Sequence, residues 1–203
     1  MSFKFGQVNV SSKDFYKRKQ FTDLFSLDHD KVVVSDPIQC NNGKDKRYVI
    51  GYETSNGIIP LYIKTPKNVF SNGVRQYSEN SAYTMSFDLD SRKDWMEKYR
   101  LVWDRVEQQI FQCLTKDPVN KDRYVNGKLK TWKEKITTNF HGKSVPHEEW
   151  CEATAILKIE SVYNQGKNFY PQAYLEECKY IENSTQTCTL LLSDSEDEGF
   201  VEL

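Results

Sequence analysis

The chain has 203 residues and a net charge of -1; 38% of its residues are hydrophobic and 13% are aromatic. This composition excludes a disordered chain, which would be poor in aromatic residues, and no apolar run approaches the ~20 residues that span a membrane. The first six residues contain no apolar segment of the secretory kind, so we expect an intracellular protein. The five cysteines are irregularly spaced, and we expect them to be free thiols.

The charge is unevenly distributed along the chain. Residues 193–203 contain five acidic residues and no Lys or Arg, and the chain without them has 28 basic and 24 acidic residues, a net charge of +4. The sequence therefore predicts one mildly basic domain over residues 1–192, followed by a disordered acidic tail over residues 193–203.

The first regular elements are a possible short helix and a hairpin. Residues 11–14 resemble a helix start. Residues 46–65 are rich in β-branched and aromatic residues around a Ser-Asn-Gly turn, which predicts a β-hairpin. Pro60 indicates an edge position or a bulge in its second strand. We expect a loop over residues 66–80, which are rich in Asn, Ser and Gly.

The second half of the domain alternates between helix and strand patterns. Residues 82–89 predict a strand, and residues 91–115 predict a helix that faces the core, because seven apolar residues recur at spacings of three and four. Residues 151–163 and 169–180 predict two further strands. The expected fold is mainly β with minor α, an OB-like barrel with the helix at about 91–115 flanking it. The alternative is an α+β domain with an open antiparallel sheet.

The sequence has none of the common catalytic motifs. It lacks a Gly-rich phosphate loop, a GxSxG elbow and an HExxH zinc motif, and its three histidines lack a paired nucleophile. A nuclease is disfavoured because no acidic metal cluster is visible. We therefore expect a protein that is not an enzyme and needs no cofactor or metal.

Basic and aromatic residues are interleaved on the predicted β-structure and on a basic extension at residues 116–148. Proteins that bind single-stranded nucleic acid stack bases on aromatic rings while Lys and Arg contact the phosphates. The period of two residues along a strand implies that about half of the strand aromatics pack inside instead, and the basic extension can also be read as a solvated loop. The predicted nucleic-acid-binding residues are Arg47, Tyr48, Tyr52, Tyr62, Lys64, Lys67, Arg75, Tyr77, Lys128, Lys130, Trp132, Lys133, Lys135 and Phe140.

The acidic tail ends in apolar residues, so it can serve as a partner-binding segment as well as a solubilising one. Its candidate partner-binding residues are Asp194, Glu196, Asp197, Glu198 and Phe200.

Several short motifs resemble proteins of mobile and viral DNA genomes. Three segments resemble the single-stranded-DNA-binding proteins of large nucleocytoplasmic DNA viruses: Phe25-Ser-Leu-Asp-His-Asp-Lys31, Pro60-Leu-Tyr-Ile-Lys-Thr-Pro66 and Tyr83-Thr-Met-Ser-Phe87. The segments Tyr48-Val-Ile-Gly-Tyr52, Thr137-Thr-Asn-Phe140 and Tyr170-Pro-Gln-Ala-Tyr-Leu-Glu-Glu-Cys-Lys-Tyr180 are similar to a small protein of Maverick/Polinton-type virus-like DNA transposons. The resemblance implies a replication accessory protein with an OB-like barrel, encoded beside a protein-primed DNA polymerase.

These observations favour sequence-tolerant binding of single-stranded DNA during replication of a viral or transposon genome. The expected partners are single-stranded DNA and, through the tail, the element's DNA polymerase or another replication protein. The expected location is the host nucleus or a viral replication site. The alternative is a structural or assembly protein of a virus-like particle that binds no nucleic acid specifically.

Overall fold

The computed structural model describes residues 1–40, 43–76, 83–89, 91–115, 135–140, 151–166, 168–181 and 187–191. Over these residues the chain is mainly β and contains one long helix. The thirteen strands and two α-helices are β1 (Ser2–Phe5), β2 (Val8–Ser11), α1 (Ser12–Tyr16), β3 (Phe21–Thr22), β4 (Val32–Val34), β5 (Ile38–Gln39), β6 (Lys46–Thr54), β7 (Gly57–Lys64), β8 (Val69–Gln76), β9 (Tyr83–Asp88), α2 (Lys93–Thr115), β10 (Lys135–Phe140), β11 (Cys151–Gln165), β12 (Asn168–Ile181) and β13 (Thr187–Leu191).

The long strand β11 organises the main sheet. One edge of β11 pairs with β12 in an antiparallel hairpin. Further antiparallel ladders join β11 to three strands in succession: to β8 through residues 151–153, to β7 through residues 156–159 and to β6 through residues 161–164. The predicted hairpin at 46–65 is confirmed, but its strands pair with each other only over residues 51–60 and then diverge along β11. Pro60 lies at this divergence.

The sheet continues from β8 through β9 to β10, and from β12 to β13. Within the described residues, β10 meets β12 through one parallel residue pair, Asn139 with Tyr174. The sheet is therefore not closed by a continuous ladder. The prediction of a mainly β fold with one flanking helix is confirmed, and the barrel stays a prediction.

Helix α2 covers one face of the sheet. Its predicted apolar positions are all buried, and the helix begins within two residues of the predicted start. The rings of Trp95 and Tyr99 stack at 5.3 Å, and the indole N–H of Trp95 donates a 3.2 Å hydrogen bond to the carbonyl oxygen of Lys64. The two tryptophans of α2 are core residues. The buried positions are Trp95, Tyr99, Val102, Trp103, Val106, Ile110 and Leu114.

A second, smaller core lies on the opposite face of β6 and β7. There the hairpin β1–β2 and the short helix α1 pack Phe3, Phe5 and Phe15 against Val49 and Ile58. The contact is close at residue 51 of β6, where a Cβ added to the glycine would lie 2.5 Å from Cγ2 of Ile58. The β6–β7 hairpin is therefore covered on both of its faces.

Three segments differ from their sequence predictions. The loop expected at 66–80 contains β8, and the polar stretch after residue 181 contains β13. Strand β10 lies within the basic extension predicted at 116–148, yet it is a strand of the main sheet between β9 and β12. Strands β8 and β10 pair with residues distant in sequence, which local composition does not reveal, whereas β13 pairs with the neighbouring strand β12.

Candidate functional site

An open groove lies between helix α1 and strands β5 and β6. Its volume is about 700 Å³, within the range typical of ligand sites. Among the residues that the structure describes, three cationic side chains line it and no Asp or Glu does. The lining residues are Met1, Phe3, Ser12, Lys13, Tyr16, Lys17, Ile38, Gln39, Cys40 and Arg47.

Two of the three cations come from α1 and the residue that directly follows it. Phe15 is buried in the smaller core and fixes the rotation of this short helix. Lys13 and Lys17 are four residues apart, so they lie on the same side of the helix. Both are exposed, and neither forms an ion pair with any residue that the structure describes. Asp14 is exposed between them but does not line the groove.

The third cation, Arg47, is held by two side chains of strand β11. Its terminal nitrogen forms an ion pair with the carboxylate of Glu160. Its Nε donates a 3.0 Å hydrogen bond to Oγ of Ser161, and that hydroxyl donates in turn to Oε1 of Gln172 at 2.9 Å. Arg47 is therefore oriented by two contacts, and its side chain is still 35% exposed.

Glu160 lies where β6 and β7 diverge, between the segments of β11 that pair with each of them. The register with β12 also shifts at this point, and the residue is only 7% exposed. Tyr16 donates a 2.8 Å hydrogen bond to Oε1 of Glu160, and Nζ of Lys158 lies 2.6 Å from Oε2. The same ammonium lies 4.0 Å from the centroid of the Tyr16 ring, which is cation–π geometry.

The protonation states of this cluster follow from its contacts. Burial alone would raise the pKa of Glu160, but Lys158, Tyr16 and Arg47 together hold that pKa below the ordinary value of 4.5. Burial, and then the neighbouring carboxylate, raise the pKa of the Tyr16 hydroxyl, which stays a hydrogen-bond donor at neutral pH. One carboxylate thus faces two cations, and the cluster keeps a net positive charge beside the groove.

A second cleft, of about 420 Å³, lies on the other side of residues 16–20. Its two cations already have partners in the protein. Arg18 donates a 2.6 Å hydrogen bond to the carbonyl oxygen of Asn56, and Lys19 forms a 2.7 Å ion pair with Glu176. The groove between α1 and β6 is therefore the better candidate for binding an anionic ligand.

Among the sequence-predicted residues whose side chains the structure describes, Arg47 alone lines this groove. Tyr48 is fully buried in the core beneath α2, and Tyr62 is 2% exposed beneath the ring of Phe21, so neither ring is available to a base in this conformation. Tyr52 is half-buried against the main core, and its hydroxyl oxygen accepts a 3.4 Å hydrogen bond from the backbone N–H of Asp28.

Three other predicted cations are exposed but lie outside the groove. Lys64 and Lys67 are near the start of α2, because their carbonyl oxygens accept hydrogen bonds from Trp95 and Arg92. Arg75 is on β8, opposite Thr84 of β9.

The remaining predicted residues cannot be placed by their side chains. Lys135 and Phe140 begin and end β10, of which only the backbone is described. The residues outside the described part of the chain are Tyr77, Lys128, Lys130, Trp132, Lys133, Asp194, Glu196, Asp197, Glu198 and Phe200.

Sequence reasoning missed Lys13, Lys17, Lys158 and Glu160. A signal for the first two was present, since residues 13–19 contain four cations and one acid, with two of the cations at helical spacing. No local signal marks Lys158 and Glu160, whose roles arise from the junction of β6, β7 and β11.

Further observations and comparisons give no additional assignment. The described residues contain no group of three or more His, Cys, Asp or Glu side chains that could hold a metal ion. None of the helices in the described part of the chain is long and apolar enough to cross a membrane. Comparisons with known protein families, with curated proteins and with solved structures find no match.

Proposed function

We propose that the protein binds single-stranded DNA without sequence preference and supports replication of a viral or transposon genome. The observation that carries the proposal is the groove between α1 and β6, where Lys13, Lys17 and Arg47 converge and no acidic residue of the described chain lines the surface. A polyanion contacted by several cations gains affinity by releasing condensed counterions. The sequence resemblance described above points to the same class of ligand.

The position of Arg47 favours a flexible strand over a duplex. Its side chain is less exposed than those of Lys13 and Lys17, and its guanidinium is held by Glu160 and Ser161. A single strand can bend to place one phosphate against such a recessed group. The phosphates of a duplex follow a stiff cylinder and reach exposed lysines more readily than a recessed arginine.

We further propose that the binding surface extends beyond the groove. Lys64, Lys67 and Arg75 are exposed cations, and the basic segment at 116–148 supplies Trp132 as a candidate stacking residue. Full closure of the sheet into an OB-like barrel belongs to this proposal, as does contact of the acidic tail with a replication partner at the host nucleus or viral replication site.

Titration of a fluorescently labelled oligo-dT, followed by anisotropy at several salt concentrations, tests the DNA-binding proposal. The wild type should bind oligo-dT more tightly than a duplex of equal length, with an affinity that falls steeply with salt. The double variant Lys13→Gln/Lys17→Gln should bind more weakly, with a log–log salt slope shallower by about 0.7 for each lost phosphate contact.

The double variant Lys98→Gln/Arg100→Gln is the matched control. It also removes two cations, but from the middle of helix α2 on the opposite face of the sheet, away from Lys64 and Lys67. Its affinity and salt slope should equal those of the wild type. If the wild type fails to bind oligo-dT at low salt, single-stranded DNA binding is wrong and the assembly-protein alternative is favoured. If both double variants weaken binding equally, the groove is not the binding site.

A further inference from the structure

The carboxylate of Glu160 is an unusual neighbour for a groove that binds an anion. It is buried, it does not line the groove, and it contacts the one groove cation that is recessed. A buried charge is costly unless it is paired and hydrogen-bonded. Glu160 has more partners than are needed to neutralise its single negative charge. Arg47 and Lys158 both contact the carboxylate, and Tyr16 donates a hydrogen bond to it.

The contacts of Arg47 fix the plane of its guanidinium. An arginine side chain presents its N–H donors as a rigid fork. In this fork one terminal nitrogen is held by Glu160 and Nε is held by Ser161, which is itself hydrogen-bonded to Gln172. With one side of the fork held by the protein, the remaining donors are those that a ligand in the groove lined by Arg47 can use.

The role of Lys158 follows from the balance of charge. Without a second cation, the carboxylate would cancel the charge of Arg47 and repel a phosphate in the groove. Lys158 contacts the other oxygen of Glu160 and lies against the ring of Tyr16, a residue of the groove wall. Its side chain is only 17% exposed, so its charge is screened less by solvent than those of Lys13 and Lys17.

We propose that Glu160 is a positioning residue for DNA binding: it orients Arg47 toward a phosphate in the groove, and Lys158 cancels the repulsion that this carboxylate would otherwise exert. The inference rests on the proposed function, because it assumes that the groove binds the phosphates of single-stranded DNA. Under this proposal, Arg47 binds a phosphate well only when its guanidinium is correctly oriented as well as positively charged.

The variant Glu160→Gln separates orientation from charge, because the two effects have opposite signs. If Glu160 were only a buried negative charge near the groove, removing that charge would tighten oligo-dT binding. If Glu160 orients Arg47, the variant should bind oligo-dT more weakly, by roughly tenfold, the value of one charge-assisted hydrogen bond. Glu176→Gln is the matched control, because Glu176 is a partly buried acid paired with Lys19 outside the groove. It should bind at least as tightly as the wild type.

A conservative exchange tests the fork itself. Arg47→Lys keeps the positive charge but cannot contact Glu160 and Ser161 with a planar fork, so it should lose about as much affinity as Glu160→Gln. Arg100→Lys, the same exchange at an exposed position of α2 outside the groove, should stay within about twofold of the wild type. If Glu160→Gln does not fold, Ser161→Ala removes the second contact of Arg47 and should weaken binding several-fold.

Each outcome decides the inference. Weaker binding by the folded Glu160→Gln and Arg47→Lys variants, with both controls unchanged, supports it. Binding by Glu160→Gln that equals or exceeds wild-type binding overturns it while leaving the proposed function intact. The absence of binding by the wild type overturns the proposed function and this inference together.

Discussion

Glu160 shows how one buried carboxylate can link two strands and a helix. It is at the point where β6 and β7 diverge along β11, and its partners come from α1, β6 and β11. Removing one member of such a cluster leaves the others as uncompensated buried charges. The stability of the N-terminal part of the fold should therefore depend on the ionised state of this one residue.

Glu160→Gln should destabilise the protein at neutral pH. In acid this destabilisation should disappear. The pKa of Glu160 is held below 4.5 in the folded protein, so the stability contributed by its carboxylate is fully present above pH 4.5 and is lost as the pH falls through the lower folded-state pKa. Urea titrations at pH 7 should show a loss in the free energy of unfolding of about 3 kcal/mol. The difference between variant and wild type should shrink below pH 4. A difference that stays constant from pH 7 to pH 3 would contradict this assignment.

Tyr48 and Tyr62 show why strand periodicity does not by itself identify the aromatic residues that are exposed. The two-residue period correctly implies that some aromatic residues of β6 and β7 pack inside. Tyr48 faces the α2 core as the period allows, but Tyr62 points to the other face and is buried there by Phe21 of β3. Phe21 is distant in sequence from residue 62, so nothing local to β7 predicts that both faces of the strand are covered.

At the level of elements, α2 protects the free edge of β4. Strand β4 pairs with β6 along one edge. At its other edge the side chain of Gln109 acts as a substitute strand: its Oε1 accepts a 3.0 Å hydrogen bond from the N–H of Val34, and its Nε2 donates to the carbonyl oxygen of Val32. Unprotected strand edges are prone to pair with other chains, so this residue serves both stability and solubility.

Gln109→Ala should lower the free energy of unfolding by about 1–3 kcal/mol, because it leaves a backbone donor and a backbone acceptor of β4 without these partners. Gln108→Ala is the matched control. Its side chain is exposed, its contact is with Arg105 on the same helix, and the substitution should change stability by less than about 0.5 kcal/mol. Equal unfolding midpoints for the two variants in urea would show that the Gln109 side chain does not support β4.

Helix α2 and strand β8 mark the two extremes of what the sequence predicts about elements. The helix was predicted almost to its ends because its apolar residues repeat with the period of the α-helix, and all seven are buried. Strand β8 was predicted as a loop because Ser71, Asn72 and Gly73 are typical of loops. These residues lie at a register shift in the β8–β9 ladder, where Gly73 has a φ of 73°. A bulge can therefore contain the same residue types as a turn, and this is why the strand was predicted as a loop.

At the scale of the whole molecule, the two sides of the sheet are covered by different elements and differ in charge. Helix α2 and the main core lie on one side, and the smaller core with the basic segment 13–19 lies on the other. The groove is built on this second side. The sequence predicted a basic body but located its cations mainly in the hairpin and in residues 116–148, because the contribution of α1 depends on the packing of Phe15.

The acidic tail provides a prediction that involves both the sequence and the groove. Residues 193–203 carry five acids, and they lie outside the described residues. A polyanionic segment tethered to the domain should compete with DNA phosphates for Lys13, Lys17 and Arg47. Deleting residues 193–203 should therefore tighten oligo-dT binding several-fold at low salt, and the gain should fade as the Debye length shrinks to about 10 Å near 0.1 M salt. Because a short acidic segment buries little apolar surface, the deletion should leave the unfolding midpoint unchanged.

Combining the deletion with the groove variant identifies where the tail acts. If the tail occupies the groove, deleting it in the Lys13→Gln/Lys17→Gln background should tighten oligo-dT binding much less than it does in the wild type, because the shared cations are gone. An equal gain in both backgrounds would place the competition on other cations, such as those of the 116–148 segment. The apolar tip is tested separately with Phe200→Ala, which should weaken capture of a replication partner without changing oligo-dT affinity. Unchanged oligo-dT affinity after the deletion at low salt, together with unchanged partner capture by Phe200→Ala, would leave solubility as the only role for the tail.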